Sequence, residues 1–205
     1  MRRLIVLSAL ASLALAGPVL AAAKAAPAKP AAAPAAKGGV AKWNVDKAAS
    51  KLGFKSTFSG TAFEGAFKTW TADIAFDPKN LAASKAVVSV DLVSAATGDE
   101  SRDESLPTDD WFATGKFPKA TFTTTAIKDM GGGKYQAAAN LNLRGVVKPV
   151  TLNFTLAITG DTAKMNGTAT VDRSQFGVGQ GQWKAADTVP FPVTVVVNIT
   201  AKRAG

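Results

Sequence analysis

The sequence predicts an all-β domain, an extended antiparallel up-and-down barrel of about eight strands with a short helical loop inserted in it. Three observations carry that expectation. From Trp43 to Lys202 apolar and polar residues alternate with period two, which is the signature of strands with one buried face. Glycine, proline, aspartate or asparagine interrupts the alternation often enough to break it into short strands. No helical pattern of crossover length lies between the strands, so consecutive strands connect directly, and closure of such a sheet removes its exposed edges.

Taken in order, the chain opens with Arg2 and Arg3 before a run from Leu4 to Ala16 that only Ser8 and Ser12 interrupt. This is a secretory signal pattern, with cleavage expected after Ala21 and Ala23 as an alternative cut. Residues 22–42 are almost entirely alanine, proline, lysine and glycine and read as a disordered linker. Six of the 24 basic side chains lie before Trp43, where no acid occurs, so 18 face 15 acids from there onward. The basicity belongs to the tail, and the scattered cations of the domain 43–203 argue against a nucleic-acid partner.

The first strands carry Leu52, Phe54 and Phe58, then Phe63 and Phe67. The apolar parity switches before Trp70, Ile74 and Phe76, which calls for a bulge near Thr69. Ala86, Val88, Val90 and Leu92 follow. Alternation then stops over Thr97–Pro118, where Thr97 and Glu100 form a capping-box pattern and Pro107 with Thr108 fits a second short helical turn. In the second half Tyr135, Ala137, Ala139, Leu141 and Leu143 share a face, as do Val150, Leu152, Phe154, Leu156 and Ile158. Ala163, Met165, Gly167, Ala169 and Val171 form the next set, and Val189 through Ile199 the last.

The composition narrows the chemistry. With no cysteine and no histidine there is no disulfide, thiolate site, lipobox or Ser-His-Asp arrangement. No metal site, cofactor or catalytic group is assigned. The carboxylates Asp99, Glu100, Asp103, Glu104, Asp109 and Asp110 lack the spacing of a calcium loop and read as a solvated face. Gly177, Gly179 and Gly181 are followed by no helix and read as a bend between strands. The interior mixes aromatics with the small residues Ala86, Ala137, Ala139, Gly167 and Ala169. These either interdigitate to full density or leave an apolar tunnel.

Five segments in order resemble the YceI-like family of polyisoprenoid-binding periplasmic proteins with a lipocalin-like barrel: WNVDKAASKLGFKSTF, GAFKTWTADIAFDP, SAATGDESRDESLPTDDWFATGKFPKATFTTT, NLNLRGVVKPVTLNF and DRSQFGVGQGQW. The resemblance implies a periplasmic, non-catalytic protein that holds a long isoprenoid chain, of prenyl quinone or polyprenyl phosphate type, or another lipid. The interior residues expected to meet that chain are Phe54, Phe58, Phe67, Ile74, Val88, Val90, Phe112, Leu141, Leu143, Phe154, Leu156, Phe176 and Val195. Arg102, Asp103 and Arg144 match the family and are expected to fix the loop or touch a head group, with Arg102 and Asp103 as an ion pair. Histidines common in the family are replaced near Ala49, Phe63 and Ser105, so no role of theirs carries over. Transient membrane contact and a homodimer are compatible with this reading. The alternative is a solid barrel whose 97–118 loop docks a membrane redox partner.

Overall fold

The computed structural model describes residues 39–205. The expected signal segment and most of the expected linker lie outside the described residues. The strands are β1 (Lys42–Val45), β2 (Lys51–Phe58), β3 (Thr61–Phe67), β4 (Trp70–Ala75), β5 (Lys85–Asp91), β6 (Ala95–Ala96), β7 (Lys119–Gly131), β8 (Lys134–Leu143), β9 (Val146–Thr159), β10 (Thr162–Asp172) and β11 (Pro192–Arg203). Lys42 is thus a strand residue rather than the end of the linker: the Lys42 and Ala41 carbonyls accept hydrogen bonds from the Ala204 and Phe76 amides, at 2.8 and 2.9 Å.

These segments form an eight-strand antiparallel barrel, ordered β1-β4-β5-β7-β8-β9-β10-β11 and closed by β11 on β1. The long β11 holds both halves of the first strand, pairing Ala201 with Val45 in β1 and Val195 with Phe54 in β2. Between the halves the Asp46 carboxylate accepts the Ala48 and Ala49 amides at 3.0 and 3.2 Å, turning the chain locally. β3 and β4 likewise form one strand broken at Lys68 and Thr69, and β5 and β6 one broken at a 3₁₀ turn over Leu92–Ser94. The two breaks face each other, with the Lys68 amide on the Ser94 carbonyl at 3.1 Å and the Asp91 amide on the Thr69 carbonyl at 3.0 Å. The irregularity expected near Thr69 is therefore present, and it returns Phe67 and Trp70 to one inward face.

A second register shift, between Thr124 and Ala126 in β7, moves the inward set from Phe122 and Thr124 to Ile127. From β8 to β11 the alternation holds as expected, with Ala137 opposite Leu152 and Phe154 opposite Gly167. Gly167 is needed there, because a Cβ would lie 2.8 Å from the Phe154 Cβ.

One end of the barrel carries the 97–118 and 173–191 connections and the turns at 59–60 and 144–145. The other carries the 76–84 connection and the remaining hairpin turns. The helix α1 (Glu100–Ser105) is capped by Asp99, whose carboxylate accepts the Arg102 amide at 3.0 Å, rather than by Thr97. The second helical turn expected at Pro107 and Thr108 is a set of hydrogen-bonded turns, such as the Trp111 amide on the Thr108 carbonyl at 3.1 Å.

Candidate functional site

The barrel is not solid. A cavity of about 520 Å³ runs inside it, walled by the inward residues of all the long strands. Of the interior residues expected from the sequence, Phe54, Phe58, Phe67, Ile74, Val88, Val90, Phe112, Leu141, Leu143, Phe154, Leu156 and Val195 line it. Phe176 does not. The chain leaves the wall at Asp172, whose carboxylate caps a 3₁₀ turn over Arg173–Phe176, and Phe176 packs as a fully buried residue outside the cavity wall. The small residues behave differently: Ala86, Ala137 and Ala169 open space in the wall, Ala139 is buried without lining the cavity, and Phe154 fills the place left by Gly167.

The two ends of the cavity differ in chemistry. Away from the loops, Tyr135 stacks on Phe154 with centroids 5.4 Å apart and meets Phe76 edge-on at 5.5 Å. The Trp43 indole donates to the Phe76 carbonyl at 2.9 Å, so the buried rings of Trp43, Phe76 and Tyr135 cluster at this end of the barrel. At the loop end Phe54, Phe63, Phe67 and Phe112 form one chain of ring contacts, and Phe58, Trp183 and Trp111 another. Most polar lining is here too, including Ser56, Thr97, Asp99, Ser101, Arg102, Ser105 and Arg173.

Arg102, Asp103 and Arg144 have separate roles, and the expected Arg102–Asp103 ion pair is absent. Adjacent helical residues diverge around the axis, while residues three apart share a face. Arg102 accordingly pairs with Asp99, Nη1 to Oδ2 at 3.4 Å, and lies 4.9 Å over the Phe63 ring at the cavity wall. Asp103 accepts the amide and hydroxyl of Thr97, each at 2.6 Å, and the Gly98 amide at 3.3 Å. Burial alone would raise the Asp103 carboxyl, but these bonds together hold it below the usual carboxylate range. Arg144 takes a left-handed conformation, φ 53°, and donates to the carbonyls of Asp109 and Trp111. It fixes the 97–118 loop and does not line the cavity.

The residue that sequence reasoning missed is Arg173. It is 3% exposed and donates to the carbonyls of Val178, Gly179, Trp183, Ala185, Val189 and Pro190. Burial lowers its pKa from the ordinary value, opposed by Asp172 nearby. Gly177, Gly179 and Gly181 all have positive φ, which makes the expected bend, and the Gly179 and Gln180 amides donate to the Asp110 carbonyl at 2.8 and 2.7 Å. The two long loops are thereby joined across the mouth. Among the described residues no three carboxylates are grouped so as to hold a metal ion.

The YceI-like domain model matches residues 43–201. A UPF0312 protein of Vibrio vulnificus is 39% identical over 106 residues, covering 51% of this chain and 56% of that protein, so the chain spans little more than half the length of that relative. A UPF0312 protein of Pseudomonas syringae pv. tomato is 29% identical over 163 residues, covering 75% of this chain and 84% of that one. Among solved structures, Burkholderia cenocepacia BcnA superposes with a TM-score of 0.75 at 34% identity, over 78% of this chain and 100% of that one. A polyisoprenoid binding domain from Saccharophagus degradans, implicated in plant cell wall breakdown, shares the fold at 17% identity with a TM-score of 0.59, over 80% of this chain and 99% of that one.

Proposed function

Since the chain belongs to the YceI-like family, we propose that it is a non-catalytic periplasmic protein that holds a polyisoprenoid chain, of prenyl quinone or polyprenyl phosphate type, or a similar long amphiphile, inside the barrel. The observation that carries this reading is the apolar cavity of about 520 Å³. At about 30 Å³ for each water-sized group, it has room for about 17 such groups in one chain. Each methylene withdrawn from water contributes about 0.8 kcal/mol, so a chain of that size is held by burial without a strong polar contact. The polyisoprenoid binding domain that shares the fold supports the choice of guest. The basic and apolar opening of the sequence supports export to the periplasm.

The direct test is to purify the protein from its native host, extract it with organic solvent and identify any lipid by mass spectrometry. A stoichiometric isoprenoid or long-chain amphiphile is expected. Recovery of no lipid, together with no uptake of a prenyl quinone by the stripped protein, overturns the reading. For the location, cell fractionation should place the protein in the periplasm with its N-terminus just after Ala21 or Ala23, and a cytoplasmic protein beginning at Met1 refutes it.

A further inference from the structure

The outer rim of the barrel at its looped end has two unlike sides. On one, α1 carries Glu100 and Glu104 and sits over β3, where Arg102 lies 4.9 Å from the Phe63 ring. Asp110 is tied to the 173–191 connection, which also carries Lys184 and Asp187 and is held to the β2–β3 turn by the Ser59 amide on the Thr188 carbonyl. The other side, over β5, β7, β8 and β9, is basic and apolar.

Two short stretches build that side, residues 116–119 (KFPK) and 146–149 (VVKP). The Phe117 ring joins them by lying against the bare Gly145, where a Cβ would be 2.9 Å from it. Val93 flanks them, because the Leu92 amide donates to the Pro118 carbonyl at 2.9 Å and Asp91 stands opposite Lys119 in the β5–β7 ladder. Val93 is 63% exposed and Val147 56%, while their neighbours Leu92 and Val146 turn to the core. The strands of Val93 and Val147 are three spacings apart, roughly 14 Å.

The charges on this arc are Lys116, Lys119, Arg144 and Lys148 against Asp91 and Asp109. Lys116 pairs with Asp109 at 2.9 Å, and Arg144 is held by two backbone carbonyls. The Asp91 carboxylate accepts the Val93 amide at 3.1 Å. Behind Val93, Lys68 lies near enough to Asp103 to help lower its pKa. Among the described residues Lys119 and Lys148 form no ion pair, and both are exposed. Scattered exposed valines are ordinary on a protein surface. Exposed valines set among unpaired lysines are what an anionic bilayer surface accommodates, with apolar groups at the acyl boundary and ammonium groups among the phosphates.

We propose that the arc of Val93, Phe117, Lys119, Val147 and Lys148 docks the barrel on a bilayer containing anionic phospholipid. The inference rests on the lipid-binding reading for its purpose, since docking there brings the looped end of the cavity to a membrane that can supply or receive an apolar guest.

The test is co-sedimentation of the mature protein with vesicles of phosphatidylcholine alone and of phosphatidylcholine mixed with phosphatidylglycerol. Binding is expected to favour the mixed vesicles. Lys119→Gln/Lys148→Gln should weaken it by about tenfold to thirtyfold, and Val93→Ser/Val147→Ser by about fivefold. Lys128→Gln/Lys164→Gln removes the same charge from the opposite end of the barrel and should leave at least most of the binding intact. The lysines before Trp43 are the same in every variant, so the differences report the arc. The inference is overturned if the native protein does not prefer the mixed vesicles, or if the two lysine pairs weaken binding alike. Uptake of a prenyl quinone delivered from solvent is measured on the same proteins and should be unchanged by these substitutions. Vesicle binding without quinone uptake by any of them overturns the lipid-binding reading and leaves the docking surface standing.

Discussion

The ring of Phe54 occupies the space that a side chain on Gly65, its partner across the β2–β3 ladder, would take. Phe54 can lie back against the wall only because that position is bare, and from there it meets Phe67 at 5.3 Å and Phe63 edge-on at 6.5 Å. Gly65→Ala should drive the ring inward. The expected outcome is a loss of about 1–3 kcal/mol of stability in urea denaturation, with lower stoichiometry or affinity for a long-chain lipid. An unchanged midpoint and unchanged binding would show that the ring has another place to go.

Arg173 predicts a stability effect out of proportion to a single cation. Arg173→Met leaves six carbonyls of the 173–191 connection without their donor, so a loss of about 3–5 kcal/mol is expected. Gly179→Ala attacks the same contact from the other side, since its Cβ would collide with the guanidinium at φ +83°. Both variants should show early proteolysis between Arg173 and Phe191, and equal protection in variant and native protein would contradict this role.

Acid should loosen the mouth before the barrel. Asp103 and Asp172 both have pKa values lowered in the folded protein. Hydrogen bonds from Thr97 and Gly98 outweigh burial at Asp103, and the Ser174 hydroxyl is the leading cause at Asp172. A depressed carboxylate stabilises the fold above its unfolded pKa, about 3.9, and that contribution is lost as pH falls through the lower folded value. Hydrogen exchange of the amides of Thr97, Gly98 and Ser174 should therefore rise as pH is lowered below about 4, relative to the β8–β9 ladder. Uniform exchange across both regions would refute it.

Filling the cavity separates binding from folding. Ala169 lies on the cavity wall, and Ala169→Phe projects a ring into space that no side chain occupies. Lipid uptake should fall by at least about tenfold, the effect of blocking a chain worth several methylenes. The thermal midpoint of the stripped protein should hold or rise. A marked fall in midpoint would mean that the wall at Ala169 is already tightly packed.

The barrel was most readable where alternation is strict. Leu141, Phe154 and Val195 belong to strands whose two faces differ sharply, and each lines the cavity as expected. β7 was harder to orient because Thr121, Thr123, Thr124 and Thr125 suit either face of a sheet, so its register shift leaves no mark in the pattern. Phe176 lies outside the cavity because the Asp172 carboxylate accepts the Ser174 amide and turns the chain out of the wall, whereas its place in the interior was implied by the family resemblance and not by the alternation, which stops at Val171. The Arg102–Asp103 pairing failed on helical geometry, which sets neighbours about 100° apart. Arg173 lies in the DRSQFGVGQGQW segment, but nothing in the pattern marks its role, because its partners are carbonyls brought together by a loop, and carbonyls are the same in every residue.

β11 closes the eight-strand cylinder on β1, and Tyr135, Phe76 and Trp43 cluster at the end away from the long loops. A lipid guest that enters and leaves by the looped end alone would pass one molecule at a time, and a newcomer could not push out its predecessor from behind. Turnover in such a vessel is governed by the departure of the resident. The exchange rate should level off as competing lipid is added, at the spontaneous dissociation rate of the bound molecule.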